Sequence, residues 1–249
     1  MIHLDTEERL EVIAARVRLE KAVKIAVLAT ELDVSEMTIR RDLELLASQG
    51  VVQRVRGGAR AVGPETFSER FGQHARAKDR IVRKLAPLIG EGGAIGVDAS
   101  TTLQRLASVI GQSRDITVLT NGPDLFTALQ SQPGVTPLLT GGQLDGRTGS
   151  LVGPLAIRST RDFLLRRLFV SAAGIDADHG TTEVTLEEAD VKLAMADAAS
   201  EIVVALDHTK LGQRGSARCL DIDRIDVLVT DLDPADQRLE PYRRRCRLI

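Results

Sequence analysis

At 249 residues the chain has room for one large domain or two ordinary ones, because a domain usually takes roughly 100–200 residues. Its 43% hydrophobic and 27% charged residues are the proportions of a soluble globular protein and exclude a disordered or fibrous one. A formal net charge of −2 gives no global sign of nucleic-acid binding, so any such role must come from local geometry.

No apolar stretch approaches the roughly 20 residues that a membrane span needs. The first eight residues also lack the basic-then-apolar layout of a signal peptide, so the expected place is the cytoplasm. Cys219 and Cys246 stand far apart and, with His3, His74, His179 and His208, show no metal-ligand spacing. Free thiols in a reducing compartment are expected, with no metal and no cofactor.

The first sixty residues read as a small helical unit. Leu10, Ile13, Ala14 and Val17 recur on one face of a helix. A second short helix is expected over 27–32, a turn at Asp33 and Val34, and a third helix capped by Ser35 and running to about 49–50. In that third helix Ile39, Leu43 and Leu46 point one way, while Met37, Thr38 and Arg41 project from the opposite side with Arg40 at the flank. After Gly50 an alternating segment carries Arg54, Arg56 and Arg60 around Gly57 and Gly58, the pattern of a β-hairpin wing. Acidic and basic residues balance over 1–62, so the case rests on where the arginines lie. A helix-turn-helix places its second helix in the major groove, where a guanidinium forks onto guanine and hydroxyls reach phosphates or base edges. Thr38, Arg40 and Arg41 fit those roles, and Arg54 and Arg56 fit a polyanion beside them. The bland alternative is that these arginines solvate one face of a three-helix bundle.

The run Val34-Ser-Glu-Met-Thr-Ile-Arg-Arg-Asp-Leu43, followed by Arg54-Val-Arg-Gly-Gly-Ala59, resembles the signature of the DeoR family of bacterial transcription regulators. The resemblance implies a winged helix-turn-helix that binds operator double-stranded DNA. It puts Ser35, Thr38, Arg40 and Arg41 at motif positions of the recognition helix. Met37 stands inside the motif where smaller or acidic residues are more usual.

A polar stretch over 63–78 holds only Phe67 and Phe71 as large apolar anchors and reads as a linker docked on the next domain. The expected domains are therefore 1–62, a winged helix-turn-helix, and 79–249, a sensor. From Asp79 to Ile89 the spacing is helical, with Pro87 expected to kink or shorten the helix. Short apolar runs follow at 94–97, 116–119, 135–139, 168–172, 202–206 and 227–229, with helix-spaced segments at 103–110, 125–129 and 186–199. Continuously apolar strands separated by helices predict an α/β fold with a mostly parallel sheet covered on both faces.

The residues just after each run are small, hydroxylated or charged. Ligands of open α/β sheets bind at these carboxyl ends, where helix starts accept anions. Ser100, Thr101 and Thr102 are placed to hold a phosphate with Lys210 supplying charge, and Asp98, Asn121 and Asp176 to hydrogen-bond sugar hydroxyls. For any single site an ordinary N-cap is the simpler reading; recurrence over six strand ends favours a pocket. The order of these motifs resembles the DeoR-type sensor domain, whose fold is similar to ribose-5-phosphate isomerase. The family's usual Gly-Thr-Thr stands here as Ser100-Thr101-Thr102. The resemblance implies effector contacts at Thr120, Asn121, Gly141, Gly142 and Lys210, with Glu183 a weaker candidate. No catalytic residue is assigned: Asp176, Glu183 and Lys210 have the chemistry for an aldose–ketose isomerase, yet the isomerase's Asp-rich and Lys-Gly-Gly-Gly run is absent after Gly174. A constitutive architectural DNA binder is a third, weaker reading, and the arginines at 243–247 read as a solvated basic tail. The expected whole is a homodimeric or homotetrameric repressor of sugar or polyol genes, released by a phosphorylated sugar or polyol.

Overall fold

In the computed structural model, which describes residues 5–48, 51–61 and 67–249, the chain divides into two units with the boundary after Pro64. The first unit opens with α1 (Thr6–Glu20). Asp5 caps it by accepting from the Glu8 amide at 2.9 Å, while the Glu8 carboxylate accepts from the Asp5 amide at 3.1 Å, a reciprocal box that satisfies two otherwise orphaned donors. A short strand, β1 (Ala22–Lys24), leads into α2 (Ile25–Glu31) and then α3 (Glu36–Ser48). The hairpin β2 (Val52–Val55) and β3 (Gly58–Ala61) completes the unit.

The wing has a third strand that the spacing did not predict: β1 pairs antiparallel with β3, giving the order β1-β3-β2. Its residues explain the double glycine. Gly57 takes φ +83° in the turn, whereas a Cβ on Gly58 would stand 1.9 Å from the Val23 carbonyl oxygen. One glycine serves conformation and the other close approach. Ile13, Val17, Ile39 and Leu43 are fully buried and form the core with Leu28. This matches the expected inner face of α3, although α2 starts two residues earlier than the pattern suggested and the expected end of α3 at 49–50 lies outside the described residues.

The second unit begins with α4 (Phe67–Gly72) and α5 (Ala75–Ile89). Of the expected linker, 63–66 lie outside the described residues, and most of the rest is helical. Phe67 and Phe71 stack one turn apart with ring centroids 6.2 Å apart, and the Phe67 ring lies against Gly149; these anchors make a helix of what composition suggested was connector. Pro87 sits in the last turn of α5, two residues from its end, so it removes one intrahelical hydrogen bond there and the turns before it keep theirs.

Seven parallel strands form the main sheet. In chain order they are β4 (Gly93–Val97), β5 (Ile116–Thr120), β6 (Val135–Leu139), β9 (Arg167–Val170), β12 (Ile202–Ala205), β14 (Val227–Val229) and β15 (Arg247–Leu248). The remaining strands are β7 (Gln143–Asp145), β8 (Ser150–Val152), β10 (Gly174–Asp176), β11 (Gly180–Glu183) and β13 (Ala217–Arg218). They form an antiparallel pair, β7-β8, and an antiparallel sheet, β10-β11-β13. Helices α6 (Ala107–Ile110), α7 (Pro123–Leu129), α8 (Pro154–Arg158) and α9 (Leu186–Asp197) fill the connections. The six apolar runs are all strands of the main sheet, and two separate cores cover its faces, one packed by α5, α6 and α7 and the other by α9 and the small sheet. The arginines at 243–247 are exposed, as expected of a solvated basic run, but the segment is ordered by the seventh strand: Arg247 and Leu248 pair with β14, Arg243 bonds Glu240 at 2.8 Å and Arg245 lies 3.5 Å from Asp223. The helix expected over 103–110 is a 3-10 turn at Leu103–Leu106 followed by α6.

The sheet order is β15-β14-β12-β9-β4-β5-β6. From β4 the chain builds outward through β5 and β6, then returns to β9 on the other side of β4 and builds the opposite way. The reversal opens a crevice between the carboxyl ends of β4 and β9, the place where open α/β sheets take ligands.

Candidate functional site

The exposed face of α3 is organised from its first turn. The Ser35 hydroxyl accepts from the Thr38 amide at 3.1 Å, and the two hydroxyls lie 2.9 Å apart, so both residues first serve as a helix cap. Met37 is 59% exposed beside them. Arg40 pairs with Glu36 at 3.2 Å and Arg54 with Glu44 at 2.6 Å. Arg41 and Arg56 have no ion pair among the described residues. The first two pairs are exposed and exchange for a phosphate at little cost, since such bridges contribute about 0–1 kcal/mol. A contact missed in the sequence holds the helix in place: Asp42 is buried and takes the Arg9 guanidinium through both oxygens, at 2.7 and 3.2 Å. Asp42 sits beside Leu43 on the inner face, a charge on an apolar stripe that could have signalled it.

In the second unit the crevice between β4 and β9 has a charged floor. Asp98 is fully buried; one oxygen accepts from the Ser100 amide at 2.9 Å and the other from the Ser171 amide at 3.0 Å, joining the two strand ends. Lys192, from α9, lies 3.2 Å from Asp98, 2.7 Å from Glu183 and 3.9 Å from Glu188, and donates to the Ser171 carbonyl at 2.9 Å. Burial alone would lower the Lys192 pKa, but the three carboxylates outweigh it and the ammonium is held charged. Burial pushes the Glu183 carboxyl up, against the pull of Lys192. Glu183 is thus a member of a buried ion cluster beneath the crevice.

Beside this floor the loop after β4 carries Ser100, Thr101 and Thr102, the two threonines buried. The Ser100 hydroxyl faces the Leu103 amide at 3.3 Å, and the backbone N–H groups of Thr101 and Thr102 have no partner among the described residues. Asn121 braces the same loop: its side-chain oxygen accepts from the Ala99 amide at 3.0 Å, and its amide nitrogen faces the Leu151 carbonyl at 3.3 Å. Thr120 accepts from the Gly122 amide at 3.0 Å. Gly141 donates to Ser159 at 3.1 Å; Gly142 takes φ +129° and a Cβ there would meet the Val152 carbonyl oxygen at 2.6 Å, so packing against β8 requires it to be glycine. Lys210 donates to the Ala172 carbonyl at 2.7 Å, just past β9, and burial pushes its pKa down. Burial would raise the Asp207 carboxyl, but hydrogen bonds from Thr209 and the nearby Lys210 hold it below the usual carboxylate range.

The structure therefore gathers Asp98, Ser100, Thr101, Thr102, Asn121 and Lys210 about the crevice. Asp176 lies on the small sheet, where Arg214 reaches it through two nitrogens at 2.9 and 3.2 Å. Two lysines were missed, Lys78 and Lys192. Both lie on the apolar face of a helix, three residues before Ile81 and Met195 respectively, and that position was the available signal. An open cleft of about 440 Å³ between α8 and α9 is lined by Ile157, Leu164 and Leu193 among others, and by none of the expected effector residues. Both cysteines are free. Among the described residues no helix is long and apolar enough to cross a membrane.

Two family models match the chain: the DeoR-like helix-turn-helix domain over residues 9–65 and the DeoR C terminal sensor domain over residues 73–232. The HTH-type transcriptional regulator GolR of Listeria innocua is 32% identical, the match covering 84% of each chain. The HTH-type transcriptional repressor GlcR of Bacillus subtilis is also 32% identical, over 92% of this chain and 89% of its own. Among solved structures, ribose 5-phosphate isomerase from Plasmodium falciparum aligns with a TM-score of 0.38 at 11% identity, covering 53% of this chain and 51% of that one.

Proposed function

We propose a function that starts from one premise, that the chain belongs to the DeoR family of transcription regulators: it is a DNA-binding repressor of sugar or polyol genes, not an enzyme, and a phosphorylated sugar or polyol releases it from its operator. The effector binds in the crevice between β4 and β9. The observation that carries this reading is the loop after β4, where, among the described residues, two backbone N–H groups without a partner and three hydroxyls stand beside lysines with no carboxylate within ion-pair distance. Such a set binds a phosphate through charge-assisted hydrogen bonds. Asp98 and Asn121 shape the loop that meets the ligand rather than reaching for sugar hydroxyls, since their oxygens are already occupied by the chain's own amides.

In the first unit Met37, Thr38 and Arg41 face the major groove while Arg56 meets phosphate at the wing. A homodimer or homotetramer is the working assembly, because two heads on half-sites a helical turn apart give the affinity that one small head lacks. The effector favours an arrangement of subunits that no longer matches the operator, and the loss of DNA affinity equals its preference for that arrangement.

Lys210→Ala tests the division of labour. It should leave operator binding within about twofold and abolish release by phosphate esters, read by fluorescence anisotropy of operator DNA. Full release retained in this variant would remove Lys210 from the pocket.

A further inference from the structure

Lys78, on α5, is 3% exposed, and among the described residues no carboxylate lies within ion-pair distance of it. Its ammonium donates to the Thr101 hydroxyl at 3.0 Å and to the Arg70 carbonyl. Burial lowers its pKa to about 8, helped by the field of Lys210, with Arg105 and Arg70 adding to the same sign and Asp207 opposing it. Burying a cation without a paired carboxylate is costly, and here a second lysine, Lys210, stands close enough to be felt, with Asp207 as the one carboxylate that acts on both. The site is short of one anion.

The Arg70 carbonyl belongs to α4, and a second tie runs between the same two places. Arg105, just past the loop after β4, donates to the Phe71 carbonyl at 3.1 Å, pairs with Asp79 at 2.8 Å and stacks over the Phe71 ring at 4.9 Å. Thus α4, which follows residues 62–66 in the chain, is fastened to the phosphate-side loop by Lys78 and Arg105, from two different elements.

We propose that Lys78 is the second cation of the effector pocket and the latch between pocket and α4: one proton of its ammonium goes to the anion, and the others hold Thr101 and the Arg70 carbonyl. An anion seated against Thr101 and Thr102 draws Lys78 toward full charge and tightens α4 onto the loop. This rests on the effector reading above and adds to it the residue through which occupancy is felt at the start of the sensor unit.

The test uses the full chain and inorganic phosphate as probe, with calorimetric binding and amide hydrogen exchange over 67–78. In the wild-type protein phosphate should bind and slow exchange there at least tenfold. Lys78→Met should weaken phosphate binding at least tenfold and lose the slowed exchange, while Lys78→Arg should keep binding within about threefold. Arg105→Ala should bind phosphate as the wild type does but show faster exchange over 67–72. Binding by Lys78→Met equal to the wild type would overturn the role of Lys78 and leave the effector reading standing. Absence of phosphate binding by the wild type would sink both. Phosphate that binds the wild type without changing exchange over 67–78 would overturn the latch, a readout that holds even if Lys78→Met does not fold.

Discussion

Arg40, Arg41, Arg54 and Arg56 look alike in the sequence, and their neighbours separate them. Arg40 and Arg54 already face Glu36 and Glu44, whereas Arg41, in the middle of the recognition helix, and Arg56, at the tip of the wing, have no carboxylate in reach among the described residues. Arg41→Ala should weaken binding to the operator by about 1–3 kcal/mol and leave binding to random DNA nearly unchanged. Arg56→Ala should weaken both alike and reduce the salt slope by about one. Equal losses on both DNAs for Arg41→Ala would show that it meets phosphate instead of a base. The two pocket lysines carry a pH prediction. A depressed lysine pKa means that the proton leaves early, so the cationic form that attracts an anion is complete well below pH 8 and fades as pH rises through about 8. Lys210, lowered in the same direction, reinforces this, and Asp207, held below the usual carboxylate range, is ionised throughout. Phosphate affinity should therefore fall between pH 7 and 9 in the wild type and hold level in Lys78→Arg over the Lys78 part of the change. A flat wild-type profile would contradict it.

At the scale of elements, the buried cluster around Lys192 ties α9 to the ends of β4, β9 and β11. Among the described residues Lys192 is the one cation within 4 Å of Asp98, Glu183 and Glu188, and removing one partner of a buried ion set leaves charge without compensation, at about 3–5 kcal/mol. Lys192→Met should lower unfolding stability by that amount in a urea titration, and a loss below about 1 kcal/mol would mean the cluster is not structural. Six of the seven described strands of the main sheet were legible because each is an apolar run too short for a helix. The helix-turn-helix was legible because Ile39, Leu43 and Leu46 keep strict spacing. What the sequence hid has physical reasons: β1 and β15 are only two or three residues long, so periodicity has nothing to act on. The double glycine announced a turn, but the close approach at Gly58 depends on a strand thirty-five residues away. The partners of Asp176 and Glu183 were hidden too, because composition cannot show that Arg214 and Lys192 reach them.

For the whole molecule, the first unit carries a capped helix, with Arg41 and Arg56 outside any ion pair among the described residues, and the second has a reversal point in a parallel sheet, beside which Lys78 and Lys210 have no carboxylate within ion-pair distance among the described residues. The fold class was readable because it follows from repeated local patterns, as was the return of polar residues at the strand ends; the ion cluster beneath them was not, since it joins residues from four elements. The central claim is that anion occupancy of the crevice controls DNA binding. The most direct test is anisotropy of the purified full chain on DNA from its own upstream region, at fixed physiological salt, with and without a panel of sugar and polyol phosphates. Sequence-specific binding released by one phosphate ester, and not by the same sugar without its phosphate, is the result expected. Specific binding that no phosphate ester alters, or release by the unphosphorylated sugar alone, would contradict the account.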